Sequence, residues 1–217
     1  MKKSPSSKQW LRRHVDDPYV QRSKREGYRS RAAYKLTELD ERDKLLKPGM
    51  VVVDLGSAPG GWSQVLSKRL GRDALIIAID LLEMEPITGV TFLRGDFSKP
   101  SGLTAVAQAL GGRKADLVLS DLSPNLTGIP FTDQARSMEL TELAFEFALK
   151  HLKSEGVFLV KVFQGVGYQE FLKALRLAFE KVVVRKPDAS RDESAEQYLL
   201  ARGFRSKALI PGNTPEL

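Results

Sequence analysis

The 217-residue sequence contains no cysteine. That excludes a disulfide framework, a thiolate zinc site, an iron–sulfur cluster and a cysteine nucleophile. Histidine is nearly absent: His14 and His151 are the only two, so no metal site is assigned. No run approaches the roughly 18 apolar residues of a membrane-spanning helix. Met1-Lys2-Lys3 leads into Ser-Pro-Ser-Ser rather than an apolar stretch, so no secretory signal is read. Internal repeats and low-complexity segments are missing as well. A cytoplasmic protein with no membrane partner is expected, monomeric by default. Hydrophobic residues at 42% and charged residues at 28% match ordinary globular usage, which sets aside wholesale disorder.

Charge of one sign is what the chain has in excess. Lys and Arg number 34 against 27 Asp and Glu, a net of +7. Residues 1–35 hold 11 basic and 3 acidic residues, a net of +8, so the remaining 182 residues carry −1. A near-neutral body with a basic N-terminal arm points to a polyanionic partner, nucleic acid before an acidic membrane. The arm is placed at 1–29 and the folded domain at 30–217. Arg12, Arg13, Arg22, Lys24, Arg25, Arg29 and Arg31 are its candidate phosphate contacts, and Trp10, Tyr19 and Tyr28 its candidate stacking residues.

Within the arm a helical piece covers 8–14. Another opens at Asp17-Pro18, a capping residue followed by proline at the first helical position, and fades at Gly27. Ser30 is placed as the cap of a further helix over 31–46, stopped by Lys47-Pro48-Gly49. Apolar runs then alternate with helical stretches. Strands are read at 50–55, 74–80, 90–96, 115–121 and 156–163, with helices at about 61–70, 100–111, 132–153 and 168–179. Uninterrupted apolar strands alternating with helices imply a parallel sheet covered on both faces. The runs 181–186 and 197–204, joined without a long helix, read as an antiparallel hairpin at the sheet edge.

The first strand enters D-L-G-S-A-P-G-G-W (54–62). Gly56, Gly60 and Gly61 between a strand and a helix allow a tight turn and close ligand approach. Ala58 occupies the middle position of G-x-G-x-x-G, and no Gly-Lys-Ser/Thr follows, so a pyrophosphate loop is the weaker reading. Asp80 ends the second strand 20 residues beyond Gly60, where a carboxylate can bind ribose hydroxyls. Asp96 ends the third and can accept an adenine N–H. With Asp54 and Asp121 these acids line the strand C-terminal ends, suiting a cationic ligand such as the sulfonium of S-adenosylmethionine. Each acid alone is more commonly a helix cap.

Lys161 interrupts the apolar strand G-V-F-L-V-K-V-F, a costly placement unless the ammonium is paired, used, or snorkels to solvent. Adjacent strands four and five bring Lys161 toward Asp121. Glu196 and Lys35 offer a second carboxylate and a second ammonium.

Taken together, D-L-G-S-A-P-G-G-W, S-D-L-S-P-N, F-L-V-K-V-F, S-A-E-Q-Y and R-S-R-A-A-Y-K-L closely resemble the FtsJ/RrmJ ribosomal RNA 2′-O-ribose methyltransferases. The resemblance runs from about Trp10 to Phe204. It implies a Rossmann-like S-adenosylmethionine-dependent α/β fold, with a seven-stranded, mostly parallel sheet whose last strand is antiparallel. It also implies a catalytic tetrad of Lys35, Asp121, Lys161 and Glu196. The cofactor residues it implies are Gly56, Gly60, Trp62, Asp80, Asp96 and Asp121. The implied substrate is a uridine in the A loop of 23S ribosomal RNA, within the large ribosomal subunit. Ser123 departs from the alanine common at that position.

Moving a methyl group to a ribose hydroxyl needs a group that takes the hydroxyl proton during attack. Lys161 is assigned as that base, oriented by Asp121, with Lys35 and Glu196 positioning the ribose; a protonated, purely orienting Lys161 is the rival. Three other functions stay open. One is an RNA-binding assembly factor with a vestigial site, another a 2′-O-methyltransferase of transfer RNA or a messenger cap. The third, a nicotinamide-dependent oxidoreductase, is disfavoured by the missing middle glycine. A base methyltransferase would more typically carry Asn/Asp-Pro-Pro-aromatic where D-L-S-P-N stands.

Overall fold

Asp17 and Pro18 open the first helix by their own chemistry. In the computed structural model, which describes residues 15–205 apart from 126, 192 and 193, the Asp17 carboxylate accepts the Tyr19 and Val20 N–H groups. Pro18 needs no N–H partner at a helix start. This helix, α1 (Pro18–Glu26), ends on Gly27 in the left-handed region, φ 72°. The expected 8–14 helix, with Trp10, Arg12 and Arg13, lies outside the described residues.

Helix α2 (Ala32–Asp43) is shorter than the expected 31–46. Lys44 turns left-handed at φ 52°, and the Asp40 carboxylate accepts the N–H groups of Leu45 and Leu46 at 2.9 and 2.8 Å. An aspartate four residues inside the helix thus ends it before the Lys-Pro-Gly signal. Ser30 supplies no side-chain cap at the other end: its buried Oγ has no partner and faces Gly61, where an added Cβ would lie 2.3 Å away.

The remaining elements are β1 (Val51–Leu55), α3 (Gly61–Leu70), β2 (Leu75–Asp80), β3 (Val90–Arg94), α4 (Pro100–Leu110), β4 (Ala115–Ser120), α5 (Pro130–His151), β5 (Leu152–Phe163), α6 (Tyr168–Ala178), β6 (Phe179–Arg185) and β7 (Glu196–Phe204). They form a seven-stranded sheet in the order β3-β2-β1-β4-β5-β7-β6. The first five pair in parallel, and β7 lies antiparallel between β5 and β6. The expected hairpin is therefore present, with β6 at the edge.

Alternate residues of each strand feed two cores. Val53, Ile77, Val118 and Val160 pack with residues of α4, α5 and α6. Val52, Ile76, Leu117 and Leu159 pack with Leu36, Leu39, Val65 and Leu66 of α2 and α3. That doubly covered arrangement leaves the strand C-terminal ends free for a site. Period-two alternation also puts Lys161 on the same side as Leu159, facing α2. Lys161 lies directly opposite Tyr198, and Phe163 opposite Glu196.

Candidate active site

The tetrad residues come from α2, β5, β7 and the loop that follows β4, at one end of the sheet. Lys161 Nζ on β5 donates to the Asp121 carbonyl at 2.8 Å and lies 3.2 Å from Asp121 Oδ1. Lys35 Nζ on α2 donates to Glu196 Oε1 at 2.5 Å, and Ser190 Oγ donates to the same oxygen at 3.0 Å. Both pairs are mostly withdrawn from water, with side-chain exposures of 7% and 18% in the first and 12% and 11% in the second. The two lysines do not form one cationic cluster: each has its own carboxylate.

Tyr198 links the pairs, and the sequence reading did not single it out. Its hydroxyl donates to Asp121 Oδ1 at 2.8 Å, while Lys35 Nζ lies 5.7 Å from its ring centroid. Burial first, then the charges of Asp121 and Glu196, hold its phenol well above the ordinary range. It stays a hydrogen-bond donor at any physiological pH. A signal was available: in S-A-E-Q-Y, period-two alternation aims Tyr198 to the same face as Glu196. Nothing in the sequence marks Ser190.

Asp80 ends β2 and Asp96 lies two residues beyond β3, at the same end of the sheet as the pairs. Asp80 accepts Ala58 N–H at 2.9 Å on one oxygen and Leu82 N–H at 2.8 Å on the other. Each oxygen keeps a lone pair for a ligand hydroxyl. Asp96 Oδ1 accepts both the N–H and the hydroxyl of Ser98, which hold its carboxyl below the usual range. Gly56 and Gly60 have φ of 80° and 108°, and Cβ atoms there would meet Leu122 N and the Met84 and Ile87 side chains at 2.9 Å. The Trp62 ring is not at this surface. It is buried, its Nε1–H donates to Ala32 O at 2.8 Å, and it lies 5.7 Å from the Tyr198 ring. What Trp62 can offer a ligand is its backbone N–H in the first turn of α3, where helical N–H groups lack internal partners.

Beneath the turn, Asp54 is fully buried and accepts Ser63 Oγ–H at 2.6 Å on Oδ2. Its Oδ1 and the nearby Ser57 Oγ have no partner. Orphaned oxygens under a turn too tight for side chains fit a ligand that brings cationic or hydroxyl groups.

The sequence model of the FtsJ-like methyltransferases matches residues 28–204. The chain belongs to the FtsJ-like methyltransferase family. A relative named ribosomal RNA large subunit methyltransferase E, from Dechloromonas aromatica, is 58% identical over 94% of this chain and 100% of its own. The protein of that name from Pseudomonas aeruginosa is 51% identical over 95% and 100%. A Plasmodium falciparum crystal structure described as a ribosomal RNA methyltransferase superposes with a TM-score of 0.72, at 32% identity over 82% of this chain and 98% of that one. Human methyltransferase-like protein 13, solved with SAH, shares the fold at 16% identity and a TM-score of 0.50, over 75% of each chain.

This FtsJ-like chain uses its arm residues in several ways. Lys24 and Arg25 are exposed on α1. Arg22 pairs with Glu26 at 2.8 Å and stacks over Tyr34, 4.5 Å from its centroid. Tyr19 and Tyr28 pack around Tyr34 with centroids 5.6 and 5.5 Å away. Arg31 bonds Asp17 and the Ala189 carbonyl, and Arg29 bonds three carbonyls of the crevice loops. Residues 15–29 are thus fastened to the methyltransferase domain. Reversing Lys24 and Arg25 to Glu is expected to weaken RNA binding and flatten its salt dependence without altering cofactor affinity, as filter binding against salt would show.

Asp54 makes the FtsJ-like domain pH-sensitive. Burial is the main cause that pushes its carboxyl up to about 7, helped by Asp121 and Asp80 and opposed by Ser63. An unfolded aspartate titrates near 3.9. Between about pH 4 and 7 the folded state therefore binds the extra proton, and this group's contribution makes stability fall as pH rises. Urea melts of the ligand-free protein at pH 5 and pH 8 should differ less in Asp54→Asn than in the wild type.

Proposed function

We propose that this FtsJ-like methyltransferase performs S-adenosylmethionine-dependent 2′-O-ribose methylation of ribosomal RNA in the large subunit, with a uridine of the 23S A loop as target. The observation that carries the reading is the convergence of the Lys161–Asp121 and Lys35–Glu196 pairs around Tyr198, beside a carboxylate-lined crevice. Gly56, Gly60, the Trp62 N–H, Asp80, Asp96 and Asp121 would hold the cofactor. The relatives named for large-subunit ribosomal RNA support the substrate, and the bound SAH of the human structural neighbour is consistent with the cofactor.

When bound, S-adenosylmethionine supplies a methyl group on a positively charged sulfur. The chain's own groups prepare the acceptor. Lys161 Nζ donates to the Asp121 carbonyl and lies beside Asp121 Oδ1, which leaves a bonding direction for the ribose hydroxyl. As an amine, Lys161 presents a lone pair there and takes the hydroxyl proton during attack. Asp121 fixes that direction, and Tyr198 fixes Asp121. The Lys35–Glu196 pair, with Glu196 further held by Ser190, positions the ribose. Exposed Lys24 and Arg25 contact phosphates, which orients the strand without reading its sequence.

The direct test gives the protein labelled S-adenosylmethionine and large subunits from cells lacking the activity, then maps 2′-O-methylation by nucleotide. Label at one uridine ribose of 23S RNA supports the reading. Label on a base, on a ribose outside 23S RNA, or nowhere overturns it.

A further inference from the structure

Proline has no N–H, so Pro59 and Pro86 weaken the ability of their two loops to close on each other through backbone pairing. The glycine-rich turn holding Pro59 and the loop over 81–89 nevertheless lie together. Gly60 has room for no Cβ because Met84 Sδ and Ile87 Cδ1 would stand 2.9 Å from it, and Arg29 Nη1 3.0 Å. The donor that joins the loops comes from the N-terminal segment. Arg29 Nη1 donates to Glu85 O at 2.5 Å and Pro59 O at 3.3 Å, and Nη2 donates to Pro86 O at 2.9 Å. A planar fork can span neighbouring carbonyls in this way, whereas a lysine acts as a point charge.

Arg29 is itself braced. Gln64 on α3 accepts the Arg29 N–H at 2.8 Å and donates to Gly27 O at 3.1 Å. The left-handed Gly27 that ends α1 thus delivers the arginine to a fixed place. On the crevice side, Asp80 accepts the N–H of Ala58 from one loop and of Leu82 from the other. Arg29 and Asp80 bridge the same two loops, one giving protons to carbonyls and the other accepting them from amides.

We propose that Arg29 is a positioning residue of the methyl-donor pocket, a clasp holding the 81–89 loop on the glycine-rich turn, rather than a phosphate contact. The proposal rests on the reading of the crevice as the S-adenosylmethionine site. Three of the five guanidinium N–H groups are already committed to the protein. Moving Arg29 onto RNA would strip the loops of their shared donor. Its charge belongs to the basic arm in the sequence, but its hydrogen bonds belong to the crevice.

Arg29→Lys and Arg29→Ala, made in the full chain, test it. Arg29→Lys keeps the arm's charge and loses the fork. Both variants should bind S-adenosylhomocysteine roughly tenfold more weakly by calorimetry, the equivalent of about 1.4 kcal/mol. The KM for the donor should rise with kcat within threefold, and RNA affinity and its salt slope should be unchanged in Arg29→Lys. Hydrogen exchange of the amides over 82–88 should accelerate in both ligand-free variants. Wild-type cofactor affinity in the two variants would overturn the proposal. So would unaltered exchange, or loss of RNA affinity in Arg29→Lys with cofactor binding intact. If the wild type itself bound no S-adenosylhomocysteine, the reading of the crevice would fail, while the exchange measurement would still decide the clasp.

Discussion

Replacing Lys161 with methionine is expected to slow methyl transfer about a thousandfold, within the range a positioned acid–base group supplies. Methionine matches the lysine stem in bulk and has no ammonium to pair, so the β5 strand should tolerate it. Asp121 keeps Tyr198 as a donor and remains partly open to solvent. Single-turnover transfer should collapse while cofactor affinity changes little, and the melting temperature should fall by a few degrees as Asp121 loses its ammonium partner. Lys161→Arg separates the two roles open to this side chain. Arginine keeps the charge and the donors but cannot accept a proton near neutral pH. If it retained a tenth or more of the wild-type rate, the general-base assignment would be lost and an orienting cation would take its place.

A second large effect is expected from one methyl group at Gly56. Its φ of +80° disfavours any side chain, and a Cβ would lie 2.9 Å from Leu122 N and 3.0 Å from Leu122 Cα. The obstruction is backbone, which cannot rotate aside, and it immediately follows Asp121. Strain and overpacking together should cost about 3 kcal/mol. In a domain of this size that lowers the melting temperature by about 10 °C. Because the displaced segment carries Asp121, cofactor binding and transfer should fall with it. Gly49→Ala is the control. Its φ is +75°, but nothing lies within 4 Å of the added Cβ. It should show the left-handed penalty alone, about 1 kcal/mol, with activity intact. Equal losses in the two variants would mean that the Leu122 contact is unimportant.

The strands were legible because Val, Ile and Leu fill them without interruption, as parallel strands covered on both faces require. The loop after β1 was legible because Gly56 and Gly60 stand where positive φ is needed. Lys161 drew attention as a cation in an apolar run, and the structure pairs it with Asp121. Other features depend on contacts that have no local signature. The end of α2 is set by Asp40 reaching forward to Leu45 and Leu46, which preceded the Pro-Gly signal the sequence offered. Arg29 and Arg31 look like their neighbours in a basic arm, yet the carbonyls they bond sit 30 to 158 residues away. Tyr198 passed for one more aromatic in a strand, and only the antiparallel insertion of β7 puts it against Asp121. Side chains whose roles come from tertiary partners are the part a residue pattern does not carry.

The Lys35–Glu196 bond spans 161 positions of the chain. Bringing together residues so distant in sequence carries a larger loop-closure entropy cost than a local contact does. Synthesis proceeds from the N-terminus, so Lys35 leaves the ribosome long before β7 exists to receive it. Until β7 slots between β5 and β6, Asp121 also lacks its tyrosine and Lys161 its cross-strand neighbour. A nascent or C-terminally clipped chain can therefore display the basic N-terminal segment without a finished catalytic centre. The proposed site is assembled only once β7 is in place, because β7 carries both Glu196 and Tyr198.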